Sequence, residues 1–245
     1  MQLTDSLTPV PRPDPDVLRQ AAAHPESDPV YIWSYLLSRT VVGFLGLALP
    51  VVLILGDVFF LAGSPTARGS LSAYYHSGMR DVFVGTLWVT GVFLLTYKVF
   101  SRNLENLLSS LAGIAAILVA IFPTGLPPGH ENEATPLQLR LGETAVERVH
   151  FTAAFVFIGL LAVICCFFAR RESRRDEVDP GREHMFGSWF WGPFHYVCAG
   201  LVVAAVIFMA ITRQLLIGET VAIVAFGLSW FAKGSELRTL YPRKA

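Results

Sequence analysis

Six long apolar runs constrain this chain more than any other feature. They cover residues 36–61, 81–99, 107–122, 150–169, 196–212 and 215–232. A helix needs about 20 mostly apolar residues to cross a hydrocarbon core near 30 Å, and each run comes close to that length. The runs are continuous. A barrel would instead show segments of about ten residues alternating with period two. Only helices and closed barrels satisfy every backbone group in lipid. The expected fold is therefore all-α, a polytopic membrane bundle of six transmembrane helices. The third run is short and extends back through Asn103 to Asn106, and the last two are joined around Arg213 as a tight hairpin.

Composition agrees. Of 245 residues, 53% are hydrophobic and 16% charged, against about 25% charged in a soluble domain. The formal net charge is zero and no basic tract occurs, which argues against a nucleic-acid partner. Cys165, Cys166 and Cys198 all fall inside apolar runs without CxxC spacing. They read as small packing residues, neither a disulfide framework nor a zinc knuckle.

Basic residues set the expected orientation. Arg170, Arg171, Arg174, Arg175 and Arg182 follow the fourth run, Lys98 and Arg102 the second, and Lys233, Arg238, Arg243 and Lys244 the sixth. Even-numbered spans then end inside, and both termini are cytoplasmic, as in a multi-pass protein of the cell membrane. Residues 1–30 lack a signal-peptide pattern. Rich in Pro and Asp, they read as a flexible cytoplasmic tail with one short surface helix over 17–23. Residues 31–235 form the transmembrane domain, and 236–245 a basic cytoplasmic tail. Tyr31, Trp33, Tyr35, Trp189, Trp191 and Tyr196 suit interfacial anchors, and 186–194 suits a segment along the inner leaflet. Small residues four apart, Ala112/Ala116 and Gly200/Ala204, suit close helix crossings.

With this topology the polar residues gather at the outer end. The densest stretch, 70–81, leads into the second span. Read as a helix, it places Ser72, His76 and Arg80 on one face. Arg80 and Asp81 at the start of a membrane helix are costly unless paired or hydrated. Ser72, Tyr75, His76, Arg80, Asp81, Glu147, His150 and Glu219 form the candidate binding cap, and Asp57 could join it. His76, Asp81 and His150, from separate segments, could hold zinc with an open position. The inner end carries Arg39, Ser229, Trp230 and Lys233, which read as packing and snorkelling, and His195, expected on the opposite face from His150. No GxSxG, P-loop, HExxH or CxxCH occurs.

Ser70-Leu71-Ser72 through Asp81-Val82-Phe83-Val84-Gly85, then Ile121-Phe122-Pro123-Thr124, then His150-Phe151-Thr152-Ala153-Ala154-Phe155 through Gly159 follow one another in order. Over residues 70–159 this resembles the bacterial six-span membrane proteins of unknown function related to the DRAM-like group, the damage-regulated autophagy modulators. Ser72 and His150 carry over best. Tyr74-Tyr75-His76 stands where the group has a compact Asp-containing turn, and Asp81 comes late. The resemblance implies six spans and a lipid-facing or membrane-organising role.

The functional expectation is an integral membrane protein that binds lipid or organises the membrane through its outer polar cap, without a cofactor. Its partners would be membrane lipids, with a membrane-protein partner or a second copy also compatible. The alternatives are a zinc-dependent lipid hydrolase or transferase using His76, Asp81 and His150 with Ser72, and a small-solute transporter.

Overall fold

The computed structural model describes residues 29–61, 67–96, 104–127, 134–174 and 188–240. Among these residues every regular element is helical. Helix α1 spans Pro29–Gly56 and runs on as a π-helical turn, Asp57–Leu61. A 3-10 helix, Ser72–His76, precedes α2, Arg80–Thr96. Then come α3, Leu104–Ile121, and the short α4, Pro136–Leu141. Helices α5, Glu143–Ser173, α6, Ser188–Thr212, and α7, Leu215–Leu240, complete the described chain.

Among the described residues five helical segments are long and apolar enough to cross a membrane: Leu37–Phe59, Leu104–Ile121, Glu143–Ser173, Phe190–Thr212 and Leu215–Lys233. Helix α2 has 17 described residues, at the lower limit of the ~17–25 apolar residues that usually span, and the end of the second run, 97–99, lies outside the described residues. Phe44, Phe59, Phe155 and Ile211 point outward, the last 76% exposed. So much outward apolar surface is unusual in a monomer bathed in water and ordinary against lipid tails.

Sequence boundaries shift at three places. Helix α1 begins at Pro29, inside the stretch expected to be tail, while 1–28, with the short helix proposed at 17–23, lie outside the described residues. Residues 188–194 are not a separate interfacial segment: they form the first turns of α6, which carries Pro193 without interruption. Helix α7 continues to Leu240, into the expected C-terminal tail.

Helix α5 is the hub of the unit beginning at Leu36, packing against α3, α6 and α7, while α2 packs on α3. Two crossings depend on missing side chains. A Cβ on Gly113 would sit 2.6 Å from the Gly91 carbonyl, and one on Gly43 would sit 2.5 Å from the Phe231 amide. Hence α2 crosses α3, and α1 crosses α7, backbone against backbone, as membrane helices do when small residues let dispersion contacts accumulate. Ala112 and Ala116 are fully buried. Gly200 and Ala204, by contrast, face outward, and a Cβ on Gly200 would meet open space. Helix α6 packs instead through Cys198, Ala199, Val202 and Ala205, so the small pair read from sequence is on the wrong stripe.

Candidate functional site

One end of the bundle is closed by three irregular segments: 67–79, 122–127 and the α6–α7 turn. Thr135 caps α4 through a reciprocal capping box with Gln138, which brings the Gln138 amide to the Thr124 carbonyl at 3.2 Å. The Leu126 amide donates to Glu143 at the start of α5 at 2.7 Å. The Leu216 amide of α7 donates to the Gly69 carbonyl at 2.9 Å. These bonds fix the loop backbone from which the polar side chains are oriented.

The 3-10 helix orients the first group. The Ser70 hydroxyl accepts from the Ala73 amide at 2.9 Å and lies 3.4 Å from the Ser72 hydroxyl. Glu219, in the first turns of α7, receives the Leu71 amide at 2.5 Å and the Ser72 hydroxyl at 3.2 Å. A half-buried carboxylate is held by two donors from a segment nearly 150 positions away, which offsets part of its desolvation.

His150 supplies the second. It is fully buried, and its Nδ1 lies 2.6 Å from the Phe122 carbonyl. A carbonyl only accepts, so Nδ1 carries the proton and Nε2 of the neutral ring is an acceptor. Nε2 is buried and has no hydrogen-bond partner. It is an exception to the rule that buried polar atoms are paired.

Ser72, His150 and Glu219 line one cavity of about 50 Å3, otherwise walled by residues such as Leu49, Phe83, Leu87 and Phe157. The cavity adjoins a groove of about 490 Å3 between α5, α6 and α7, with which it shares Ala154, Ile158 and Glu219. The inner chamber is roomy enough for a water or a small polar group. Its wall is almost wholly apolar, and its polar lining residues are Ser72, His150 and Glu219. A group that donates hydrogens fits it.

The rest of the expected cap lies elsewhere. The stretch 70–81 is not one helix. It breaks after His76 into a turn, so Ser72, His76 and Arg80 share no continuous face. His76 Nε2 donates to the Thr124 carbonyl at 2.8 Å. Arg80 stacks over Tyr75, 4.8 Å from the ring centroid, with a long 3.4 Å hydrogen bond to its hydroxyl. Asp81 is exposed, at the start of α2 where the helix dipole favours an acid. Glu147 packs on Gly125. Asp57 is 2% exposed and pairs with Arg68 at 2.8 Å. The adjacent Tyr74 phenol is held above the ordinary tyrosine value, chiefly by burial.

The zinc set is therefore corrected. Among the described residues no three His, Cys, Asp or Glu side chains are grouped to hold a metal ion. His76 is spent on the Thr124 carbonyl, and Asp81 is exposed whereas His150 is fully buried.

A second polar cluster lies at the other end of the bundle. Fully buried Glu172 forms an ion pair with Lys233. His195 Nδ1 and the Ser229 hydroxyl share a hydrogen bond of 2.8 Å. The Arg39 guanidinium stacks 4.8 Å from the Phe168 ring and 5.5 Å from Trp230. Buried Glu105 pairs with Arg171 at 2.9 Å. Phe168 touches His195 and lies 18 residues along α5 from His150, about 27 Å at 1.5 Å per residue. The two histidines thus occupy opposite ends of the bundle. Glu105 and Glu172 were missed in the sequence; the signal was an acid at a span end within reach of a basic neighbour.

No family model, no curated protein and no solved structure matches this chain. The functional reading rests on the site itself.

Proposed function

We propose that this is a six-span protein of the cell membrane, with both termini cytoplasmic, that binds one lipid-like amphiphile at its outer end. The acyl chain takes the groove between α5, α6 and α7, and a hydrogen-donating group, such as a hydroxyl or amine, takes the chamber of Ser72, His150 and Glu219. One observation carries the reading: a fully buried His150 whose Nε2 has no partner, on a residue that lines a cavity adjoining a groove of about 490 Å3. Ligand sites are usually apolar clefts of ~300–1,000 Å3 with a few polar groups that fix orientation. The resemblance of residues 70–159 to the six-span proteins related to the DRAM-like group supports the same lipid-facing role, and the basic residues after even-numbered spans support the orientation.

The test is native mass spectrometry of protein released from mild detergent. Wild type retains about one lipid-mass adduct per chain. Ala154→Phe, which fills the junction of the two cavities, loses it, while Val163→Trp, exposed on the same helix and outside the lining of both cavities, keeps it. Wild type without any stoichiometric adduct, or an adduct indifferent to Ala154→Phe, sinks the proposal.

A further inference from the structure

The groove has a charged mouth. Arg213 lies at the turn between α6 and α7 and lines the groove together with Phe155, Ile158, Val206, Met209 and Glu219. Its backbone is left-handed, φ 60°, the one such non-glycine among the described residues. Glycine adopts this conformation without the steric cost an arginine meets there. The turn itself is well held without the guanidinium. The Arg213 amide donates to the Met209 carbonyl at 3.0 Å, the Leu215 amide to the Arg213 carbonyl at 3.1 Å, and the Gln214 amide to the Thr212 hydroxyl at 3.2 Å. A strained position filled by a long cation therefore points to what the cation meets. The guanidinium is exposed and makes no ion pair among the described residues. Glu219, the only acid lining the groove among the described residues, is turned toward the 3-10 helix by its bonds to the Leu71 amide and the Ser72 hydroxyl. The start of α7 adds the positive end of a helix dipole beside Arg213.

We infer that the groove takes the acyl chain of an anionic glycerophospholipid, with Arg213 paired to its phosphate. The inference rests on the lipid-binding reading above and adds the charge of the ligand. A guanidinium matches a phosphate with two parallel hydrogen bonds. At the edge of the hydrocarbon, the pair is less hydrated than on a water-exposed surface. The apolar wall below it accounts for the chain, and the cation for the head.

The experiment uses full-length protein in lipid nanodiscs doped with one photoreactive phospholipid at a time, with a diazirine in its acyl chain. The probes are phosphatidylglycerol, phosphatidylethanolamine and phosphatidylcholine. Cross-links on residues 151–158 and 206–210 are counted against those on the outward face of α2 at Val82 and Val89. The expected result for wild type is a several-fold excess of phosphatidylglycerol over both zwitterionic probes. Arg213→Lys keeps most of the excess. Arg213→Gly, which suits the turn and should fold at least as well, brings the ratio near one. Phosphatidylethanolamine equal to phosphatidylglycerol would mean the groove reads hydrogen donation rather than charge, and overturns the inference. So would an excess unchanged in Arg213→Gly. Equal groove labelling by all three probes overturns it too but leaves the lipid-binding reading standing. No groove labelling above the α2 reference removes both.

Discussion

At the scale of single residues, His150 and Asp81 separate what sequence position can say from what it cannot. Both are polar residues at the start of an apolar run, and both were candidates for one site. His150 is fully buried with its Nδ1 on the Phe122 carbonyl, whereas Asp81 is exposed. His150→Ala leaves the carbonyl unmatched and opens a cavity, so a loss of about 1–3 kcal/mol is expected. Asp81→Ala should stay within about 0.5 kcal/mol. Denaturation of the two variants in the same mixed micelles checks the contrast; equal losses would contradict the geometry. Tyr74 gives a pH-dependent counterpart. Its phenol is held above the ordinary tyrosine value by burial, so the fold favours the neutral form. The contribution is intact below about pH 10, the ordinary value, and is lost as pH rises through the higher folded value. Tyr74→Phe should therefore flatten the fall in melting temperature at alkaline pH. That His150 would be important was legible from a histidine opening a span. Ser72 and Glu219 were both legible as members of the outer cap; their direct bond was not, because it depends on a 3-10 helix and a hairpin turn placing residues 147 positions apart together.

At the scale of helices, apolar length was legible and the packing stripe was not. Run length follows from bilayer thickness, a property of every span alone. Which stripe faces a neighbour depends on the partner helix, and without a water-driven hydrophobic term inside lipid the sequence marks it weakly. The glycines make this testable. Gly113→Ala brings a methyl onto the Gly91 carbonyl and should cost about 1–3 kcal/mol, while Gly200→Ala, with nothing near its added Cβ, should stabilise by about 0.4–1 kcal/mol. Reversal of that order in a denaturation series would show that α2 and α3 cross elsewhere. The buried Glu172–Lys233 pair joins α5 to α7 in the same way. Glu172→Gln leaves a buried cation facing a neutral amide, and about 3–5 kcal/mol is the usual cost of breaking such a pair. The double variant Glu172→Gln/Lys233→Met removes both charges and should recover much of that loss. A double variant no better than the single one would mean that Glu172 works through its other neighbours.

At the scale of the whole molecule, two polar layers close a bundle whose middle is apolar. One layer holds Ser72, His150 and Glu219; the other holds Glu172, His195 and Lys233, about 27 Å away along α5. That distance is close to the hydrocarbon thickness, which suits a bundle whose polar layers lie where head groups and water begin, their charges balanced by pairing. A lipid site at one end only makes sense if that end faces one particular leaflet, and the orientation proposed from the basic-residue bias puts it in the outer one. The assignment can be tested with single cysteines, after Cys165, Cys166 and Cys198 are replaced by alanine. Gln214→Cys, in the exposed α6–α7 turn, should react in intact cells with a thiol reagent that does not cross membranes. Arg174→Cys, exposed at the end of α5, should react only after the membrane is permeabilised. The opposite pattern would invert the bundle and move the groove and Arg213 to the cytoplasmic leaflet. There an anionic lipid would meet Arg213 from a surface already rich in negative charge, so the site would keep its chemistry while its source of ligand changed.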